Sequence, residues 1–145
     1  MNMHRNLARI AAGASIVMFT TSSLALGQAS GPITPKVTAE GTQYVTGGIG
    51  QRQQKAMQAI RQDYSLRLTF ARPKSGNYLA DIKVIIKNEK DDTVLDVTSP
   101  APLLFVKLPA GTYQVMADFE GKQQIKKAII KEGHPRGLVY YFDKM

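Results

Sequence analysis

Leu108-Pro109-Ala110-Gly111-Thr112-Tyr113, followed by the alternating Val115, Ala117 and Phe119, is the stretch that decides the fold. Proline presets a turn, and glycine permits a backbone conformation that other residues resist. Tyr113 then opens an apolar face of period two. The segment predicts a tight corner feeding a strand whose aromatic residue enters a core.

The same rhythm extends to both sides. Leu66, Leu68 and Phe70 alternate with Arg67 and Thr69, and Pro73-Lys74-Ser75-Gly76-Asn77 supplies a turn. Ile82, Val84 and Ile86 alternate with Lys83 and Lys87 before a polar turn at Asn88–Asp92. Leu95 and Val97 follow, then a break at Pro100 and Pro102, then Leu103 to Leu108. Beyond the corner, the strand Tyr113–Phe119 turns at Glu120-Gly121-Lys122 into a strand from Gln123 to Lys131. Gly133-His134-Pro135-Arg136-Gly137 leads into a last strand, Leu138 to Phe142. Seven short strands with turn signals at regular intervals predict a mainly β fold, an antiparallel β-sandwich over residues 65–145. No internal repeat is evident.

Upstream, residues 50–64 form the one good helix candidate. Met57, Ile60 and Tyr64 share a stripe beside Ala56, while Arg52, Lys55, Gln58 and Arg61 occupy the other sides. A basic amphipathic helix can touch a membrane or a partner. Only three substantial apolar residues line this stripe, so docking on the sandwich is the reading taken. Residues 28–49 are rich in Gly, Thr and Pro and read as a flexible N-terminal arm. The glycines of Thr46-Gly47-Gly48-Ile49-Gly50 fail as a phosphate loop, because no strand is expected before them and no Lys-Ser/Thr pair follows.

Residues 1–27 read as a secretory signal peptide. Arg5 and Arg9 precede an uncharged apolar run from Ile10 to Leu26, and small residues allow a cut near Gly27 or Ala29. The expected location is periplasmic or secreted, and no other segment is apolar enough to span a bilayer. Cysteine is absent from the chain, which excludes disulfides, thiolate metal sites, cysteine nucleophiles and a thiol-linked lipid anchor. An exported domain without disulfides must rely on its apolar core. Loss of Arg5 and Arg9 leaves 17 basic against 11 acidic residues, a net charge of +6. Outside the cytoplasm such an excess favours solubility, or anionic envelope surfaces, acidic polysaccharides and acidic proteins as partners, rather than nucleic acid.

Residues 78–121 resemble the carboxypeptidase regulatory-like domain. Leu79-Ala80-Asp81-Ile82-Lys83-Val84-Ile85-Ile86-Lys87-Asn88 is similar to a characteristic strand of that family, and Thr93–Thr98 to the next. Leu108–Val115 is similar to its most typical motif, and Phe119-Glu120-Gly121 to the turn that follows. The chain departs from the family at Ser99-Pro100-Ala101-Pro102, where an acidic, glycine-containing turn is usual. The resemblance implies a transthyretin-like, seven-stranded Greek-key sandwich, used mostly as a non-catalytic interaction module in small exported bacterial proteins.

Catalytic signals are scarce. After cleavage the chain retains one histidine, His134, in a Gly/Pro loop near Arg136. That pair can hold an anion, or His134 can be a plain exposed loop residue. A triad would need His134 with an acid such as Glu132, and no Gly-x-Ser-x-Gly elbow is present. The hydrolase branch of the transthyretin-like fold uses several histidines and a Tyr-Arg-Gly-Ser end, both missing here. Asn88, Asp91, Asp92 and Asp96 match no calcium loop and read as a hairpin tip. Lys83, Lys87 and Lys107 read as exposed strand lysines that discourage edge pairing, rather than partners in an Asn crosslink. Leu138, Tyr140 and Phe142 are expected to face the core, which turns Val139 and Tyr141 outward. There the helix covers them, or Tyr141 binds sugar or a partner strand. The expectation is therefore a non-enzymatic module, without cofactor or metal, that binds a protein or other envelope component, with His134, Arg136 and Tyr141 as candidate surface residues. The alternative is a module for carbohydrate or another anionic polymer.

Overall fold

The alternating segments become nine strands among residues 31–143, the part of the chain that the computed structural model describes. The signal segment 1–27 and both expected cut points lie outside the described residues. The strands are β1 (Lys36–Val37), β2 (Gln43–Gly47), β3 (Leu66–Ala71), β4 (Ile82–Lys87), β5 (Thr93–Ser99), β6 (Leu103–Val106), β7 (Gly111–Phe119), β8 (Lys122–Ile130) and β9 (Arg136–Tyr141). They form a five-stranded sheet in the order β1-β2-β6-β3-β9 and a four-stranded sheet in the order β5-β4-β7-β8. The core lies between them. Leu66, Leu68, Phe70 and Tyr140 of the first sheet meet Ile82, Val84, Ile86 and Val115 of the second, all fully buried. Each such apolar side chain contributes about 1.5–3 kcal/mol on burial.

The expected seven antiparallel strands are corrected in two respects. The chain crosses between sheets after β8 and returns beside β3 in the same direction, so β3 and β9 pair in parallel from Leu66↔Arg136 to Ala71↔Tyr141. The supposed arm contains β1 and β2, and β2 pairs along β6 from Tyr44↔Val106 to Gly47↔Leu103. Without β2, the edge of β6 would leave its peptide groups unpaired. With five residues and one large fully buried side chain, Val45, β2 is too short to show an alternation in the sequence.

The corner at Leu108–Tyr113 is held differently from the expectation. Gly111 does not occupy the left-handed region. A Cβ placed there would lie 3.5 Å from the Tyr113 ring, an ordinary contact. The closure is a hydrogen bond: the Tyr113 hydroxyl donates to the Pro109 carbonyl at 2.8 Å, a tyrosine corner. Ser65, just before β3, secures the other side. Its Oγ accepts from the Leu108 N–H at 2.7 Å and donates to the Leu108 carbonyl at 2.9 Å. At the β7–β8 hairpin, Glu120 and Gly121 both have positive φ, 52° and 86°, the requirement of a two-residue type I′ turn.

The helix α1 spans Gly50–Ile60 and is followed by a 3-10 turn, Arg61–Asp63, so it ends short of the expected 64. Tyr64 leaves the helical path to pack against Phe105 with ring centroids 6.0 Å apart. The helix docks on the outer face of the five-stranded sheet, burying Met57 with Val45, Tyr64 and Phe105. Gly47 permits this approach, because a Cβ there would sit 2.7 Å from Ile33 and 2.9 Å from Met57. Ile49 gives no side-chain cap, and Gln53 substitutes. Its Oε1 accepts from the Ile49 N–H at 3.0 Å, and its Nε2 donates to the Gly31 carbonyl at 2.6 Å.

Side chains close the seam between the sheets on the β8–β9 side. Lys126 Nζ and Gln124 Nε2 each donate, at 2.6 Å, to the carbonyls of Val139 and Tyr141 respectively. Lys122 Nζ donates to the Asp143 carbonyl at 3.1 Å. The outward carbonyls of Val139 and Tyr141 are thereby taken, which opposes the addition of a further strand there.

Candidate functional site

The outer face of the five-stranded sheet is covered by α1 on one half only. On the β3–β9 half, strand register sets three rows of outward residues: Phe105–Arg67–Gly137, Leu103–Thr69–Val139, and Tyr78–Ala71–Tyr141. Tyr78 joins the last row through an isolated bridge to Ala71, beyond the end of β6. The first two rows, Tyr78 and the end of α1 frame an open groove of about 510 Å³, to which Gln58 and Arg61 contribute from the helical side and which Tyr141 does not line. No acidic residue lines it.

Arg67 is the outward residue of β3 nearest the helix. Opposite it on β9 stands Gly137, where an added Cβ would meet nothing within 4 Å. The Arg67 Nε is buried and has no hydrogen-bond partner. Burial lowers the pKa of its guanidinium, and the like charge of Arg61 lowers it further. Among the described residues the one ion pair is Lys87–Asp91, at 3.7 Å. Two cations therefore share a groove without a counter-ion, an arrangement that an incoming carboxylate or phosphate would relieve.

The candidates named from sequence do not form one site. His134 is exposed and lines a separate cleft of about 530 Å³ at the end of the sandwich, with Asp63, Tyr64, Lys131 and Glu132. Arg136 is exposed but is not part of that cleft. No hydrogen bond joins His134 to a carboxylate among the described side chains; its backbone N–H closes a turn on the Lys131 carbonyl at 3.1 Å. Tyr141 lies at the opposite end of β9 from Arg136, about 17 Å along the strand. It is 52 % exposed and Val139 38 %. The expectation that the helix covers them is thus corrected: the chain enters the helix from β2 and re-enters the sheet at β3, which holds α1 over β2 and β6.

The acidic turn has a conformational role. Asn88 Oδ1 accepts from the N–H groups of Lys90 and Asp92 at 2.9 and 3.0 Å, and Asp91 takes a positive φ of 64°. No group of three or more His, Asp or Glu side chains able to hold a metal ion occurs among the described residues.

Arg61, Arg67 and Tyr78 were not singled out from sequence as site residues. Alternation places Arg67 outward on β3, but its facing Gly137 and the nearby helix end come from long-range pairing. Comparison with protein-family models, with curated proteins and with solved structures finds no match.

Proposed function

We propose that the protein is an exported, non-enzymatic binding module that takes an anionic polymer of the cell envelope into the groove beside Arg67. The observation that carries this reading is the Arg67–Arg61 pair, with Arg67 partly desolvated, the two charges mutually repulsive, and no acidic residue lining the groove. Export rests on the basic-then-apolar segment at residues 1–27, and the periplasm or the exterior is the proposed location. The net positive charge adds long-range attraction toward an anionic surface.

The carboxypeptidase regulatory-like, transthyretin-like Greek-key assignment belongs to the same proposal. It is supported by the Leu108–Tyr113 corner, the neighbouring β4, β5 and β7 strands, and the packing of a four-stranded on a five-stranded sheet. Fold by itself does not select a ligand, which is why the groove carries the argument.

The test is retention of the purified protein on immobilised polyanions at low and high salt, with Arg67→Gln alongside. Retention that falls with salt and weakens in the variant is expected. Equal retention of wild type and variant on every polyanion would refute the reading. A protein partner is the second reading, supported by Ile125 and Ile129 exposed on the outer side of β8, 64 % and 52 %. Loss of a captured envelope protein upon Ile125→Lys, with Arg67→Gln silent, would favour it.

A further inference from the structure

Across the five-stranded sheet, the row Tyr78–Ala71–Tyr141 sets two half-exposed aromatic rings on either side of a small residue. Tyr78 is 51 % exposed and Tyr141 52 %. Two strand spacings separate their backbones, about 10 Å, and Ala71 between them is buried, so it is the rings that water reaches. Large amphipathic rings left half in water present surface on which an apolar group can rest. Arg67 stands four residues back along β3, its backbone about 13 Å from that of Ala71, and Arg61 lies in the 3-10 turn that follows α1. Thr69 and Val139 lie between the two ends. One end of the face offers rings and the other offers charge, with hydroxyl and amide groups from Thr69 and Gln58 nearby.

We propose that this face binds an acidic polysaccharide, with sugar rings against the exposed parts of Tyr78 and Tyr141 and the carboxylate of a neighbouring sugar on Arg67 and Arg61. The proposal rests on the anion-binding reading and names its ligand class. A polysaccharide fits three features together. Sugar rings present C–H faces that pack on aromatics while their hydroxyls stay hydrated. Tyr78 lines the same groove as Arg67 and Arg61 while Tyr141 lies beyond it across Ala71, so an occupant that meets all four is a chain rather than a monosaccharide. The groove is open, as passage of a polymer requires. An extended acidic peptide would gain by pairing with the edge of β9, but the Val139 and Tyr141 carbonyls are already taken by Lys126 and Gln124. Polyphosphate would engage the arginines and leave the tyrosine pair idle.

The experiment measures binding of the purified protein to polygalacturonate, polyphosphate and polyglutamate at one low salt concentration. Wild type is expected to bind polygalacturonate most tightly. Tyr78→Ala/Tyr141→Ala should weaken that binding about tenfold and leave polyphosphate binding unchanged. Arg67→Gln should weaken binding to all three, by about tenfold or more. Thermal melts verify that the variants fold, and the single tyrosine variants repeat the test should the double variant melt early. Equal or tighter binding of polyphosphate or polyglutamate would overturn the proposal. So would tyrosine variants that are silent or that weaken all polyanions alike. A silent Arg67→Gln defeats the broader anion reading as well, whereas a silent tyrosine pair with an active Arg67 defeats the polysaccharide assignment alone.

Discussion

Tyr140→Phe isolates the polar link between the two sheets. The Tyr140 side chain is fully buried, and its hydroxyl donates to the Val115 carbonyl at 2.6 Å, joining β9 to β7 across the core. The ring stacks on Phe142 at 6.4 Å, tilts against Phe70 at 5.9 Å, and lies under Lys126 Nζ at 5.1 Å. The substitution removes one oxygen and keeps these ring contacts. The net loss for a neutral hydrogen bond is about 1 kcal/mol, and a dry, unpartnered carbonyl raises it toward 2 kcal/mol. Tyr140→Ala, by contrast, also opens a cavity and should cost about 3–5 kcal/mol. The assay is urea unfolding followed by far-UV circular dichroism. With a slope of about 1–3 kcal/mol per molar urea, Tyr140→Phe lowers the midpoint by roughly 0.3–2 M and leaves the slope unchanged. A midpoint equal to or above that of the wild type would refute the reasoning. A loss as large as that of Tyr140→Ala would do so too, by showing that the hydroxyl organises the packing instead of adding one bond to it.

The other predictions concern pH, the groove and the helix. Burial raises the hydroxyl pKa of Tyr140, and burial aided by Asp63 and Glu89 respectively raises those of Tyr64 and Tyr113 above the usual 10.0. Their contribution is intact below about pH 10 and is lost as pH climbs toward the raised native values, because the unfolded chain releases these protons first. The unfolding free energy from urea melts should fall in that range, by up to about 1.4 kcal/mol per pH unit for Tyr140 and by less for Tyr64 and Tyr113, and a flat profile would remove the argument. Arg67→Met deletes a buried, unpartnered Nε and the repulsion with Arg61, so without ligand its melting temperature should equal or exceed that of the wild type. A clear drop would reveal a partner for Arg67 within the fold. Gly47→Val drives a side chain into Ile33 and Met57 and should destabilise helix docking by about 1–3 kcal/mol, read as faster amide exchange over residues 50–60 than in β7 and β8. Unchanged exchange in the helix would count against the close approach.

Much of the fold is legible along the chain. The alternation in β3, β4, β7 and β9 assigns each side chain to a face, because strand geometry has a period of two wherever it occurs. The Glu120-Gly121 turn and the Pro109 corner mark where the chain reverses. β2 is not legible, since Gln-Tyr-Val-Thr-Gly has one large fully buried side chain, Val45, and runs into glycines, so no alternation stands out. Helix length is not legible either: Tyr64 fits a helical stripe, yet its ring finds a better partner in Phe105. Of the candidate residues, Tyr141 was visible as an outward aromatic on the last strand. Tyr78 and the two arginines were not, because no local pattern relates them.

The sequence by itself determined that this is a β-rich chain with a docking helix, a tyrosine-led corner and a core without disulfides. Those properties follow from backbone period, turn chemistry and residue type, which are local. Tertiary structure alone decided the parallel pairing of β9 with β3, the helix over only half of one sheet, and the meeting of Arg67 with Gly137 and Tyr78 with Tyr141 across Ala71. These are pairings between distant segments, set by which faces must be buried together and which edges must be satisfied. The sheet decides what shares its surface, and no single strand records its neighbours.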